Sequence, residues 1–574
     1  MRAPSLRQWL DLRLGGARDN LSILSAIGGG MLAQPWIAEA MGGAAARAAG
    51  VGFSALGAGV LARRVQEVFD SRVYDSAINI TSDLEHAIND ASRADGVLLG
   101  YTVDTGRPVV VSWDDWMRHV FVVGQSGMGK TVLGSWIMFQ QIIRGGGMMW
   151  IDGKLDHDNI VMLNAMCAFA GRRDELEIIN PGEPESSNTY NPILYGDADE
   201  VADRILSLLP STESNAGADY YRQASKQGIT TLVGAIQASG YAYNFADLAI
   251  LLQNDRALQY LQSLIPRHKH DWAQFALFLE QYKSPDRNGT VRIDLKKLRD
   301  TFGGSGGRMH LFGTGNFGRI TGSYTPDIDI FKSIVENKLV YLALPTMGKP
   351  DAASNFGKMA IGDFRSAIAQ VQSLPKPQRP WPPFLGFFDE AGSYVTPAWS
   401  RMFEQSRSAQ LVMMPAIQTL ANLDAISTEL REMVIGNTVT KIAFRVGTQD
   451  TAECFADLFG TEKVTQFSVS AGRGGGESAA AGTGQKQSLS RASNTSYSES
   501  TEEVHRVTIN DLRGLEKGEC VVSIGGRHVY HVKVPKIEFS QAFLKRIGEP
   551  EINHRRARYV KGLRLFDDAE KWIS

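Results

Sequence analysis

An α/β chain with a doubly wound parallel sheet, an all-α insertion and an N-terminal two-helix membrane hairpin is the fold class that three observations predict. Short apolar runs of β-rich composition alternate with helical stretches, the pattern of a parallel sheet covered on both faces. Residues 197–315 lack obvious β runs and carry apolar residues at helical spacing instead. Two uncharged, Ala/Gly-rich stretches stand near the N-terminus.

At 574 residues, of which 43% are hydrophobic, the chain has enough material for several domains and a sizeable core. Its net charge of −2 advertises no global affinity for nucleic acid, so any such contact must rest on local patches. Cys167, Cys454 and Cys520 lie far apart without metal or redox spacing and read as reduced thiols.

After an arm over residues 1–20, Leu21 to Ala38 carries no charge, and its 18 residues of helix would rise about 27 Å, close to the hydrocarbon thickness of a bilayer. Ala48 to Ala62 is also uncharged but short, and lengthening it would bring Arg47 to the membrane. Arginines flank the pair on both outer sides (Arg2, Arg7, Arg13 and Arg18 before it, Arg63 and Arg64 after it). That fits a hairpin over 21–64 with both ends in the cytoplasm. A soluble Ala/Gly-rich helical hairpin is the other reading.

The most specific string begins with the apolar run Val120 to Val123, which reads as a buried strand. It enters Gly124-Gln125-Ser126-Gly127-Met128-Gly129-Lys130-Thr131, and a helical stretch follows from Val132. This is a P-loop in its strand–loop–helix setting. The glycines let backbone N–H groups turn inward around phosphates. Lys130 would neutralise the β- and γ-phosphates of ATP, and the Thr131 hydroxyl would ligate Mg²⁺. Residues 124–132 are therefore the candidate nucleotide site. A second buried strand, Phe384 to Phe388, ends in Asp389-Glu390. Asp389 would hold the metal through water, and Glu390 would orient and deprotonate the attacking water. The separation of 258 positions from Thr131 to Asp389 is large for a simple ATPase and requires an insertion.

Gly147 to Ile151, Lys338 to Pro345, Leu411 to Gln418 and Thr440 to Arg445 supply further strands. Gln418, at a strand end, is a candidate γ-phosphate sensor, or else a loop glutamine capping a helix. Arg407 and Arg445 are candidate arginine fingers toward a neighbouring subunit, or else surface salt-bridge residues.

The order of these pieces resembles the TraG/TraD-type coupling ATPases of conjugation and type IV secretion, within the wider FtsK/HerA group. The resemblance rests on the N-terminal hairpin, Gly124 to Thr131, Ile151-Asp-Gly-Lys154, Tyr190-Asn-Pro192, Phe387-Phe-Asp-Glu-Ala391, and Ser406 to Gln410 with Gln418. Ile435 to Ile442 and Ile509 to Glu519 complete it. Where many members carry Asp-Pro-Lys-Gly, this chain has Asp152-Gly-Lys154-Leu. The resemblance implies a RecA-like P-loop ATPase core and a hexameric ring at the inner membrane, with ATP and Mg²⁺ at the subunit interfaces. Its cargo would be DNA with its relaxase or relaxosome, delivered to the channel proteins of the secretion system.

The implied domains are nucleotide-binding segments at 65–196, 316–467 and 503–538, with the all-α insertion at 197–315. A Gly/Ser-rich stretch at 468–502 reads as a disordered loop, and 539–574 is a basic tail. Within the insertion the charge is split: three Arg/Lys against eight Asp/Glu over 196–255, then ten against five over 256–308. The basic half makes Arg292, Lys296, Lys297 and Arg299 candidate DNA contacts, or else a solvated face. Three functions stay open: a DNA-pumping coupling protein, a receptor for secreted effector proteins, and a housekeeping DNA translocase.

Overall fold

The computed structural model describes residues 79–208, 216–285, 290–397, 399–474 and 492–552, together with scattered positions between 34 and 54, His554 and 564–566. The hairpin expected over 21–64 lies almost wholly outside these residues. Among the described residues no helix is long and apolar enough to cross a membrane.

Fifteen strands are described: β1 (Gly96–Thr102), β2 (Pro108–Ser112), β3 (Val120–Val123), β4 (Met148–Asp152), β5 (Leu176–Ile179), β6 (Lys283–Pro285), β7 (Val291–Ile293), β8 (Leu339–Ala343), β9 (Phe384–Asp389), β10 (Leu411–Ile417), β11 (Thr440–Ala443), β12 (Thr461–Gly474), β13 (Ala492–His505), β14 (Glu519–Ile524) and β15 (His528–Lys533). Eleven of them form one sheet in the order β2-β1-β15-β14-β11-β3-β10-β9-β4-β8-β5. From β11 to β5 every neighbouring pair is parallel. The wing from β14 to β2 is antiparallel. The parallel strands are apolar end to end because helices cover both faces: β3, β4, β8, β9 and β10 are buried at every position.

The sheet is unevenly fastened at its centre. β10 pairs with β9 at five positions, from Leu411↔Phe384 to Pro415↔Phe388, but with β3 only at Ala416↔Val122 and Ile417↔Val123. Two residues account for this. Pro415 has no N–H to donate, and the N–H of Met413 goes to the Nδ1 of His119, 3.3 Å away. The His119 ring is buried, and its Nε2–H faces the Phe403 carbonyl at 2.8 Å. Burial lowers its pKa to about 4, against the effect of the Phe403 hydrogen bond, so it stays neutral at physiological pH.

The insertion is helical, as its periodicity predicts. Its first five helices are Ala198–Leu206, Ala216–Ser239, Phe245–Gln253, Asp255–Leu264 and His270–Gln281. Two features differ from the sequence reading. β6 and β7 form a three-residue ribbon, too short to leave a β pattern in the sequence. A further helix, Leu295–Gly313, runs through Gly303-Gly304-Ser305-Gly306-Gly307; its buried face of Leu298, Phe302, Met309 and Phe312 offsets the poor helical propensity of glycine. Composition predicts a structureless loop over 468–502, yet β12 and β13 form a continuous antiparallel ribbon from Thr461↔His505 to Gly474↔Ala492. A ladder closes through backbone groups, and the Thr, Val, Phe and Tyr residues of Val464 to Val469 and Thr495 to Tyr497 suit it. The segment between the two strands lies outside the described residues.

Arg204 joins the insertion to the nucleotide-binding lobe. It is 1% exposed, and its Nη1 donates to the carbonyls of Pro192 and Tyr195 and meets Asp363 Oδ1 at 3.0 Å. Asp363 also accepts from the Tyr190 hydroxyl at 2.8 Å. Burial raises the Asp363 pKa to about 6, and Arg204 opposes that shift. Removing one member of a buried pair leaves the other charge uncompensated. Arg204→Ala is therefore expected to cost about 3–5 kcal/mol in chemical denaturation, whereas an exposed neighbour such as Asp199→Ala should change stability by less than about 0.5 kcal/mol.

Candidate nucleotide site

The site is assembled at the C-terminal ends of β3, β10, β9 and β4, the edge at which open α/β sheets bind ligands. β3 ends at Val123 and the chain turns through Gly124 and Gly129, with φ of 156° and 126°, into the helix Lys130–Ile143. Glycine is required at Gly124: an added Cβ would lie 2.5 Å from the Cβ of Phe444. Gly127, at φ 77°, is left-handed for the turn itself. The loop is braced from outside. The N–H of Gln125 donates to the Arg445 carbonyl at 2.8 Å, and that of Gly518 to the Met128 carbonyl at 2.8 Å. On the opposite face of the loop, Lys154 Nζ reaches Ser126 Oγ at 3.3 Å. Val132, in the first turn of the helix, is partly buried.

Lys130 is buried, and its Nζ donates to the carbonyls of Gly124 (2.6 Å) and Gln125 (3.1 Å). Burial lowers its pKa, opposed by Glu390 and Asp389. Thr131 Oγ1 donates to Asp389 Oδ2 at 2.8 Å, so the two halves of the predicted site meet across β10. Asp389 is held in place by the sheet, and its backbone carbonyl accepts from the Tyr394 hydroxyl at 2.8 Å. Burial raises its pKa to about 6, and the Thr131 hydrogen bond opposes this.

Glu390 has a left-handed backbone, φ 52°, uncommon for a residue other than glycine. One carboxylate oxygen meets Lys154 Nζ at 2.6 Å, and the other accepts from Gln418 Nε2 at 2.7 Å. Lys154 is a site residue whose role the sequence left unassigned. Burial by itself would lower its pKa, but the Glu390 hydrogen bond and charge outweigh burial and raise it. Its backbone N–H is set by Asp152 Oδ1 at 2.9 Å. Asp152 Oδ2 in turn accepts from Tyr341 (2.7 Å) and Asn159 (2.8 Å).

The remaining predicted residues separate. Arg445 flanks the phosphate loop, and its Nε donates to the Leu515 carbonyl at 2.7 Å. Arg407 precedes β10 and therefore lies at the opposite end of the sheet, about 20 Å of strand from Gln418. It pairs there with Asp114 at 3.1 Å. Arg292, Lys296, Lys297 and Arg299 are exposed on the all-α lobe. Lys297 Nζ donates to the Gln281 carbonyl at 2.7 Å and sits over the Tyr282 ring.

The donor set fits a magnesium nucleotide. It offers a hydroxyl and a carboxylate oxygen side by side for a hard cation, an inward-turned glycine loop at a helix N-terminus for phosphates, and an ammonium beside them. Asp389 also allows a test by pH in the metal-free protein. Its folded pKa is raised above the unfolded value, so its contribution to stability is fully present below about pH 4 and is lost as pH rises through about 6. Asp389→Asn removes this dependence. The stability difference between wild type and Asp389→Asn, followed by urea unfolding without Mg²⁺, should shift against the wild type by roughly 2 kcal/mol between pH 4 and pH 7.

The chain is similar to known coupling proteins in sequence and in fold. Residues 383–517, which contain Asp389, Glu390 and Gln418, match the family described as the TraM recognition site of TraD and TraG. The chain is 24% identical over 432 residues to the type 4 coupling protein DotL of Legionella pneumophila; the match takes in 67% of this chain and 54% of DotL, so the chain spans about half the length of that relative. Its fold is similar to that of the bacterial conjugative coupling protein TrwBdeltaN70, with a TM-score of 0.50 and 15% identity over 80% of this chain and 94% of that one.

Proposed function

We propose that this chain, which belongs with the type IV coupling proteins, is an ATP-driven motor that recruits relaxase-bound DNA and delivers it to a type IV secretion channel. The observation that carries the hydrolytic part is the 2.8 Å contact between Thr131 and Asp389, with Glu390 beside it in the grip of Gln418 and Lys154.

On this reading, Lys130 leaves the carbonyls of Gly124 and Gln125 for the β- and γ-phosphates, exchanging neutral acceptors for charged ones. Thr131 and Asp389 would hold Mg²⁺, which would supply charge neutralisation for the phosphates. Glu390 orients the attacking water and takes its proton, and Gln418 holds the carboxylate toward that water. Lys154 reaches both Ser126 of the phosphate loop and Glu390, so it is placed to answer to the charge of the terminal phosphate.

The motor would work as a homo-oligomeric ring, a hexamer by family resemblance, anchored at the inner membrane through the N-terminal hairpin. Its partners would be the relaxosome and the inner-membrane channel proteins. Arg445 and Arg407 remain the candidates for an arginine acting across subunits, and of the two only Arg445 lies beside the phosphate loop. Arg292, Lys296, Lys297 and Arg299 would contact DNA phosphates.

Lys130→Ala should reduce ATP hydrolysis at least ~100-fold with unchanged circular dichroism; undiminished turnover would remove the site assignment. DNA should stimulate hydrolysis in the wild type, and absence of any stimulation would favour a receptor for secreted proteins. If the basic side of the insertion meets the backbone of DNA, neutralising Lys296, Lys297 and Arg299 together should flatten the slope of log affinity against log salt by about 2 to 3. An unchanged slope rejects that surface.

A further inference from the structure

The tail of the chain returns to the insertion. After the helix Gln541–Ile547, the Gly548 carbonyl accepts from Asn164, and the Glu549 carbonyl accepts from Arg173 on the nucleotide-binding lobe. His554 Nδ1 then meets Asp327 at 3.2 Å. Farther on, Arg564 to Phe566 lie against the all-α lobe. Arg564 bridges in parallel to Ala242, in the connector between the helices Ala216–Ser239 and Phe245–Gln253, and the Leu565 N–H donates to the Ala242 carbonyl at 3.0 Å. Leu565 and Phe566 are 1% and 3% exposed, with the Phe566 ring 6.3 Å from that of Tyr260. The Arg564 guanidinium stands 5.3 Å over the Tyr324 ring, whose hydroxyl is fixed by Asp247 at 3.0 Å.

Three consecutive residues thus use three different kinds of recognition: an aromatic face for a cation, a main-chain hydrogen bond to an extended connector, and apolar burial of an aliphatic and an aromatic side chain. This is how an extended peptide is read by strand addition, with backbone bonds supplying affinity and side-chain sockets supplying specificity. A helix that merely packed its own tail would need neither the bridge nor the cation platform.

We propose that the all-α lobe, together with Tyr324 of the adjoining segment, carries a binding site for an extended protein segment of cation–aliphatic–aromatic sequence, built from Ala242, Tyr260 and Tyr324 and occupied in cis by Arg564-Leu565-Phe566. The tail competes as a tethered ligand, and its anchorage at Asp327 and Arg173 keeps its local concentration high. A partner protein presenting the same pattern enters when the tail leaves. This inference does not depend on what the motor moves.

The test uses the full chain and a fluorescent synthetic peptide spanning residues 561–569, with binding read by anisotropy. In Leu565→Ala/Phe566→Ala the socket is vacated, and the peptide should bind about tenfold tighter than to wild type, whose site is already filled. A control peptide with serine at positions 565 and 566 should not bind. Arg564→Glu, a change at an exposed side chain, should give a smaller gain in the same direction, and it decides the matter alone if the double variant has lost its helical signal. Binding to the vacated variants no tighter than to wild type, or equal binding of the serine peptide, overturns the proposal.

Discussion

Everything at the site depends on the placement of β10 between β3 and β9. The glycine loop and Asp389 sit on strands that do not touch, and the width of one intervening strand sets the spacing between Thr131 and Asp389. That strand also delivers Gln418 between them. Because side chains alternate along a strand, a one-residue slip of β10 against β9 would exchange the residues packed on its two covered faces and move Gln418 out of place. Five parallel pairs with β9, flanked by apolar residues on both faces, hold the register.

What the sequence disclosed follows from how each part is stabilised. β3, β9 and β10 were legible because central parallel strands are covered on both faces and read as unbroken apolar runs, and the phosphate loop was legible because its glycines are dictated by backbone geometry. β1, β2 and β5 escaped notice. β2 alternates exposed and buried residues over only five positions, β1 contains glycines at both Gly96 and Gly100, and β5 is four residues long. The ribbon of β12 and β13 was hidden by a composition that argues for disorder when side chains are weighed without the backbone ladder. Pairings across long separations in sequence, such as Lys154 with Glu390 or Arg204 with Asp363, leave no local signature.

The insertion is joined to the core by apolar packing to which buried polar contacts are added. Within the lobe, helices pack through Phe245, Phe275, Phe278, Phe302 and Phe312. At the junction the Phe312 ring stacks 6.1 Å from that of Phe356, and Arg204 meets Asp363, Tyr190 meets Asp363, and Asn191 donates to the carbonyls of Tyr243 and Ser323. Apolar packing tolerates many arrangements of similar volume, whereas a buried guanidinium with fixed carbonyl and carboxylate partners favours one. These partners therefore fix the orientation of the insertion on a hydrophobic core that the two parts share.

The thin ladder between β3 and β10 has a mechanical meaning. With Pro415 lacking a donor and Met413 diverted to a neutral His119, two half-sheets abut along a seam closed by only two residue pairs. The glycine cradle belongs to one half, and both carboxylates and the glutamine belong to the other. A ligand that spans the cradle and the acids is thus a rivet through a thinly laddered joint at the centre of the sheet. Were such a ligand to lose its terminal phosphate, the tie between cradle and acids would shorten at that joint and not elsewhere in the sheet.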